Sequence, residues 1–154
     1  MDIGKEIKAS RFRSEFHKAM VNLYYTYKWY DDILADLFKH HNILPQHFNV
    51  LMILKGKYPE PCTPKDIREV MMDKGRDITR LVDKLVAKGF ADRAPNPENR
   101  RQVNIVITED GRKMAQKLNQ ELMNKIQSLN NLTPEEAIAL NEILNKLRLQ
   151  KENG

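Results

Sequence analysis

The sequence predicts a mainly α-helical fold that carries one small β-hairpin. Three observations predict it. Apolar residues recur three or four apart over most of the 154 residues, which is the spacing of one helix face. Between Gly89 and Thr108 the spacing drops to two, as in Val103, Ile105 and Ile107, and this marks strands. Proline, glycine and capping residues punctuate the chain where the helical periods begin and end. The length suits one domain, or a small domain with helical extensions.

The first helical period covers about residues 12 to 40, through Met20, Leu23, Tyr24, Tyr27, Tyr30, Leu34, Leu37 and Phe38. A second row of Tyr25, Trp29 and Ile33 widens the apolar surface beyond one stripe, so burial against a second subunit is expected. Pro45 opens a second, short helix with Phe48, Leu51, Met52 and Leu54 inward, and Gly56, Pro59 and Pro61 mark a loop after it. Thr63, Pro64 and Asp66 read as N-cap, first helical position and acidic first-turn residue of a third helix reaching about Met71.

A fourth helix is expected from about Asp73 to Lys88, with Ile78, Leu81, Val82, Leu85 and Val86 apolar and Gly89 placed to stop it. Its other face carries Arg76, Thr79, Arg80 and Lys84, with Asp77 and Asp83 among them. Phe90 to Arg93 and Val103 to Ile107 then form the hairpin, whose long tip holds Pro95, Pro97, Arg100 and Arg101. Thr108 caps a fifth helix with Met114, Ala115, Leu118, Leu122, Ile126 and Leu129 inward. Thr133 and Glu136 stand at capping-box spacing before a last helix built on Ala137, Leu140, Ile143, Leu144 and Leu147. Residues 150 to 154 are expected to fray.

Lys and Arg number 26 against 21 Asp and Glu, a formal charge of +5, which favours a polyanionic partner. Residues 74 to 101 alone hold eight Lys or Arg and four Asp or Glu, so most of the excess is concentrated there. Cys62 is the single cysteine; an intrachain disulfide is excluded and a reducing cytoplasm is the expected compartment. The charged start, MDIGKEIKASRFRSEF, lacks the apolar centre of a signal peptide, and no apolar run approaches membrane-spanning length.

A helix, two short helices, a basic-faced helix, a hairpin and further helices, in that order, describe a winged helix-turn-helix. An α-helix fits the major groove of DNA, and the first residues of a recognition helix reach base edges while its flanks meet phosphate. On this reading Lys74, Arg76, Asp77, Thr79, Arg80 and Lys84 face DNA. Lys74 and Arg76 are expected at base edges, and Arg80 and Lys84 at the backbone.

The run DITRLVDKLVAKGFADRAPNPENRRQVNIVITEDGRKM, residues 77 to 114, closely resembles the MarR family of bacterial transcription regulators. Thr79, Arg80, Leu85, Gly89, Phe90, Arg93, Pro95, Pro97, Arg101, Thr108 and Gly111 supply the family pattern in order. The resemblance implies a winged-helix part at about 43–108 and dimerisation helices at about 12–40 and 109–150. It also implies a homodimer on pseudo-palindromic double-stranded DNA and repression relieved by a small aromatic effector. It adds Arg93, Asn99, Arg100 and Arg101 to the DNA-facing set, with Arg101 in the minor groove. An effector pocket would involve Tyr24, Tyr27, Trp29 and Phe48. Three residues depart from the pattern: Asn99 replaces the aspartate that holds the wing arginine, Leu44 replaces a capping Thr or Ser, and Arg68 replaces a small residue.

Other chemistry finds no support in the residues. His40, His41 and His47 lie close together, but a metal needs three or four convergent donors and no second ligand cluster is present. They read as surface or helix-end histidines, as does the isolated His17. Asp31 and Asp32 point around a helix and make a poor acid/base pair. No phosphate-binding loop or nucleophile elbow occurs. No cofactor and no catalytic residue is assigned. The alternative function is a winged-helix protein-interaction module without DNA binding.

Overall fold

The computed structural model describes residues 2–9 and 11–149; the expectation of fraying at 150–154 lies outside them. The elements are α1 (Ile3–Glu6), α2 (Glu15–Lys39), α3 (Pro45–Lys57), α4 (Pro64–Val70), α5 (Ile78–Ala87), β1 (Ala91–Pro95), β2 (Val103–Ile107), α6 (Glu109–Leu129) and α7 (Pro134–Leu147). The predicted class, helical with one antiparallel hairpin, is the observed one. The chain divides after Leu122 into two units, Met1–Leu122 and Met123–Gly154.

Local chemistry sets the boundaries and explains where they differ from the sequence reading. The first long helix begins at Glu15 because Ser14, in extended conformation, accepts the His17 N–H on its hydroxyl. Ahead of it lies the single turn α1, which periodicity could not reveal. It is tied to α2 by Tyr25, whose hydroxyl donates to Glu6 at 2.8 Å, and by Lys18 on Asp2 at 2.8 Å. Tyr25 therefore has a polar partner on the N-terminal turn in addition to its place in the aromatic row.

The helix from Pro45 runs through Gly56 to Lys57 before it stops. α4 and α7 carry complete capping boxes, Thr63 with Asp66 and Thr133 with Glu136. The largest difference is at α5. Asp73 accepts the Gly75 N–H on its side chain, Asp77 is extended, and the helix starts at Ile78 instead of Asp73.

The core of the first unit forms where α3, α4 and α5 pack on one another and on β2. Val50, Leu51, Leu54, Ile67, Ile78, Leu85 and Ile105 are almost completely buried there, with Phe38 from α2 and Leu118 from α6. The hairpin registers Ala91 on Ile107 and Pro95 on Val103. Strand β1 thus runs two residues beyond Arg93. Cys62 adds a bridge on the outer edge of β2, exchanging backbone bonds with Ile105 at 2.9 and 2.8 Å.

Two glycines do different work. Gly89 has φ +75° and ends α5 in the left-handed conformation that a side chain strains. At Gly111, in the first turn of α6, a Cβ would sit 2.0 Å from the Phe90 carbonyl oxygen. Thr108 completes this junction: its hydroxyl donates to the Gly89 carbonyl at 2.6 Å and accepts the Gly111 N–H at 3.0 Å.

In the second unit, α7 has no buried residue. Ala137 and Leu144 are half-buried, and Leu140, Ile143 and Leu147 are exposed. Ile126 of α6 is also exposed and Leu129 half-buried. The inward face read from periodicity is present, but no further layer within this short unit closes over it.

Gly111→Ala should therefore lower stability by about 3 kcal/mol, because backbone is the obstructing atom and the core is already full. Gly56→Ala, where nothing lies within 4 Å of the new Cβ, should stabilise by roughly 0.5–1 kcal/mol through helix propensity. Urea unfolding of the two variants checks both signs.

Candidate nucleic-acid interface

The buried stripe of α5, Ile78, Leu81, Val82 and Leu85, decides what the helix presents outward. Thr79 and Arg80, in its first turn, are exposed, and Lys84 is half-exposed. Asp77 is the N-cap, its carboxylate accepting the Arg80 N–H at 3.3 Å, so its residue type is explained by helix initiation. Lys74 and Arg76 are exposed but lie in the loop before α5 and not in its first turn. The reading that put them at the start of the helix is corrected by the turn at Asp73. Arg76 Nε donates to Asp73 at 2.9 Å, and this pairing holds the Asp73 carboxyl below its ordinary pKa.

The hairpin is joined to α5 by Arg93 on β1, which pairs with Asp83. Both side chains are substantially exposed, so the pair contributes no more than about 1 kcal/mol. Its effect is to fix the Arg93 guanidinium beside the helix. The wing tip is organised by Asn96, a residue the sequence reading passed over. Its side-chain oxygen accepts the N–H groups of Glu98 and Asn99 at 2.9 and 3.2 Å, and its amide donates to Asn104 at 3.2 Å.

Arg100 and Arg101 are exposed at that tip. Asn99 Oδ1 accepts the backbone N–H of Arg101 at 3.1 Å. This residue orders the arginine through its main chain, where the resemblance implied a hold on the side chain. Only the Asx-turn rule could have flagged Asn96 and Asn99 from sequence.

The four residues named for an effector pocket differ in exposure within one chain. Tyr24, Tyr27 and Trp29 are 68%, 56% and 47% exposed on α2, while Phe48 packs its ring 4.8 Å from Phe38. A groove of about 430 Å³ lies along Lys113, Gln116, Lys117, Gln120 and Glu121. A smaller cavity of about 60 Å³ lies between Pro64, Thr79, Val82, Arg93, Val103 and Ile105.

Among the described residues, no group of three or more His, Cys, Asp or Glu is arranged to hold a metal, and no helix is long and apolar enough to cross a membrane. His17 Nδ1 accepts the Arg13 N–H, and His41 meets Glu121 at 3.0 Å. Cys62 is 1% exposed. Burial, aided by Asp66 and opposed by Lys57, pushes its thiol pKa up, the reverse of what a reactive thiolate needs.

A helix pair, α4 and α5, followed by an antiparallel hairpin with a basic tip defines a winged helix-turn-helix protein. Residues 41–102 match the profile described as the MarR family. The multiple antibiotic resistance protein MarR of Salmonella typhimurium is 32% identical over 93 residues, covering 55% of this chain and 60% of that protein. The match thus spans less than two thirds of that relative. An HTH-type transcriptional regulator of Bacillus subtilis, YfiV, is 36% identical over 112 residues, 72% of this chain and 68% of its own length. In structure, a mutant MarR of Escherichia coli complexed with operator DNA superposes with a TM-score of 0.74 at 24% identity, covering 91% of this chain and all of that one; that likeness is one of fold. This chain belongs to the MarR family.

Asn96→Ala should speed amide hydrogen exchange at Glu98 and Asn99 while costing about 1 kcal/mol of global stability. Unchanged exchange at those two amides would remove Asn96 from its role in the wing. Cys62 should react with a thiol reagent at pH 8 only after unfolding, which a comparison of native and urea-treated protein measures.

Proposed function

We propose that the chain is a homodimeric, sequence-specific double-stranded DNA-binding transcription regulator, a repressor released by a small aromatic effector, acting in the cytoplasm. The observation that carries the reading is the joint presentation of Thr79 and Arg80 on the first turn of α5 and of Arg93, Arg100 and Arg101 on the adjoining hairpin, all exposed. Family membership supports it.

In this reading α5 enters the major groove, with Thr79 and Arg80 at base edges and Lys84 beside phosphate. Lys74 and Arg76, in the preceding loop, contact the backbone. Arg101 enters the minor groove, which distinguishes A·T from G·C pairs by its width and acceptors. The winged-helix part is about 43–108, and dimerisation falls to the helices at about 12–40 and 109–150.

The exposed apolar residues support that division. On α2 Met20, Leu23, Tyr24 and Tyr27 lie open, and on α7 Ile138, Leu140 and Ile143. Such surfaces are costly to leave in water at roughly 25 cal/mol per Å². A second copy covers them, and Tyr24, Tyr27 and Trp29 then have walls against which an aromatic effector can sit. Two α5 helices, one from each copy, would read half-sites about one turn of DNA apart, near 10 base pairs.

Selection of duplexes from a random pool, followed by titration at several salt concentrations, tests the reading. Binding should yield a two-fold-related sequence and fall steeply with salt, at about 0.9 logarithmic units per phosphate contact. Arg80→Ala should relax sequence preference at a cost of about 1–3 kcal/mol, whereas Lys84→Ala should weaken all duplexes alike. Sedimentation should find a dimer at micromolar concentration. Salt-independent binding to protein partners with no selected duplex would favour the interaction module.

A further inference from the structure

Three helices of this chain, α3, α4 and α7, begin with proline at their first position. In α4 and α7 the N-cap threonine accepts the N–H three residues on, and a carboxylate there, Asp66 or Glu136, accepts the threonine N–H in return. α3 is built differently. Its N-cap is Leu44, whose side chain has no acceptor, so one half of the exchange is absent. The other half is made by an imidazole: the Leu44 N–H donates to His47 Nδ1 at 2.9 Å.

A carboxylate accepts at any pH above its own titration, but an imidazole accepts at Nδ1 only when it is neutral and carries its proton on Nε2. His47 is 6% exposed, and α3, its helix, packs against α5. The charges that reach it from α5 are Lys84 and Lys88. Lys88 in turn donates to the His41 carbonyl at 3.3 Å, at the end of α2, and the His41 ring is engaged with Glu121 of α6. Protonating His47 would place one N–H against another and add positive charge at a helix N-terminus, where the helix dipole opposes it. The new cation would also face Lys84.

We propose that His47 is a positioning residue for α5: its neutral ring locks the start of α3 against the helix that reads DNA, and its protonation releases that lock, so sequence-specific binding weakens as pH falls below neutral. The inference rests on the DNA-binding reading for its last clause. Burial, with Lys84 and Lys88, holds the imidazole below the usual histidine pKa. A folded-state value below the unfolded one, about 6.5, means the stabilisation is complete above that pH and is lost as pH falls toward the folded-state value. Simple charge addition predicts the opposite sign for duplex affinity, since a further cation attracts phosphate.

The test compares the full chain with His47→Gln, whose side-chain oxygen can accept the Leu44 N–H without titrating. Between pH 7.5 and 5.5 the melting midpoint of the unaltered chain should fall several degrees further than that of the variant, which also cancels the contributions of His17, His40 and His41. Affinity for the duplex selected from the random pool should fall severalfold in the unaltered chain and less in His47→Gln. Parallel pH profiles for the two proteins would overturn the proposal. Should His47→Gln not fold, the ring nitrogen shifts of His47 in the unaltered chain decide: Nδ1 unprotonated at neutral pH and an apparent pKa below 6.5 support it, and titration at or above that value overturns it. Absence of duplex binding at every pH would defeat the DNA-binding reading instead, and the melting and ring-titration results would still judge the lock.

Discussion

The first turn of α6 lies so close to the corner between α5 and β1 that only glycine fits. A Cβ at Gly111 would meet the Phe90 carbonyl at 2.0 Å and Ile107 at 2.8 Å, and the Thr108 hydroxyl bonds Gly89 and Gly111 across the same junction. Both ends of the hairpin are thereby clamped to the C-terminus of α5. The clamp fixes where the hairpin leaves the helix, and so which way the wing projects relative to Thr79 and Arg80. Variation in the tip is free to change contacts without moving the frame.

Three acidic residues in and beside the basic segment have a consistent use. Asp73 holds Arg76 and turns the backbone, Asp77 caps α5, and Asp83 binds Arg93 across to β1. Each of these three carboxylates sits in a bond that shapes the segment and so helps build the surface that the remaining cations present. Reading net charge along the sequence understates this, because it counts a structural carboxylate as a cancelled cation. The wing relies on neutral amides for the same purpose, Asn96 and Asn99 ordering backbone N–H groups.

The two units differ in how far they close on themselves. In the first, residues from α2 to α6 share one buried cluster, yet the N-terminal half of α2 keeps Met20, Leu23, Tyr24 and Tyr27 open. In the second, α7 buries no residue at all. Amphipathic periodicity is a statement about what a face needs, and it is silent on whether the same chain supplies the cover.

Much of the architecture follows from sequence by itself, because it depends on local or periodic chemistry. Pro at the first helical position with Thr before it starts α4 and α7, the stripe of Ile78, Leu81, Val82 and Leu85 turns α5, and alternation in Val103, Ile105 and Ile107 makes a strand. The ordered run from Thr79 to Gly111 carried the family. Tertiary structure decided what depends on atoms distant in sequence or on competing local bonds. Asp73 and Asp77 both resemble helix starts, and α5 begins after the second because the first is occupied in a turn with Gly75 and Arg76. Tyr25 looked purely apolar until Glu6 was brought to its hydroxyl. His47 read as a surface or helix-end histidine; it is buried and accepts the Leu44 N–H where Leu44 itself offers no acceptor, and burial is a property of the folded chain that no spacing encodes.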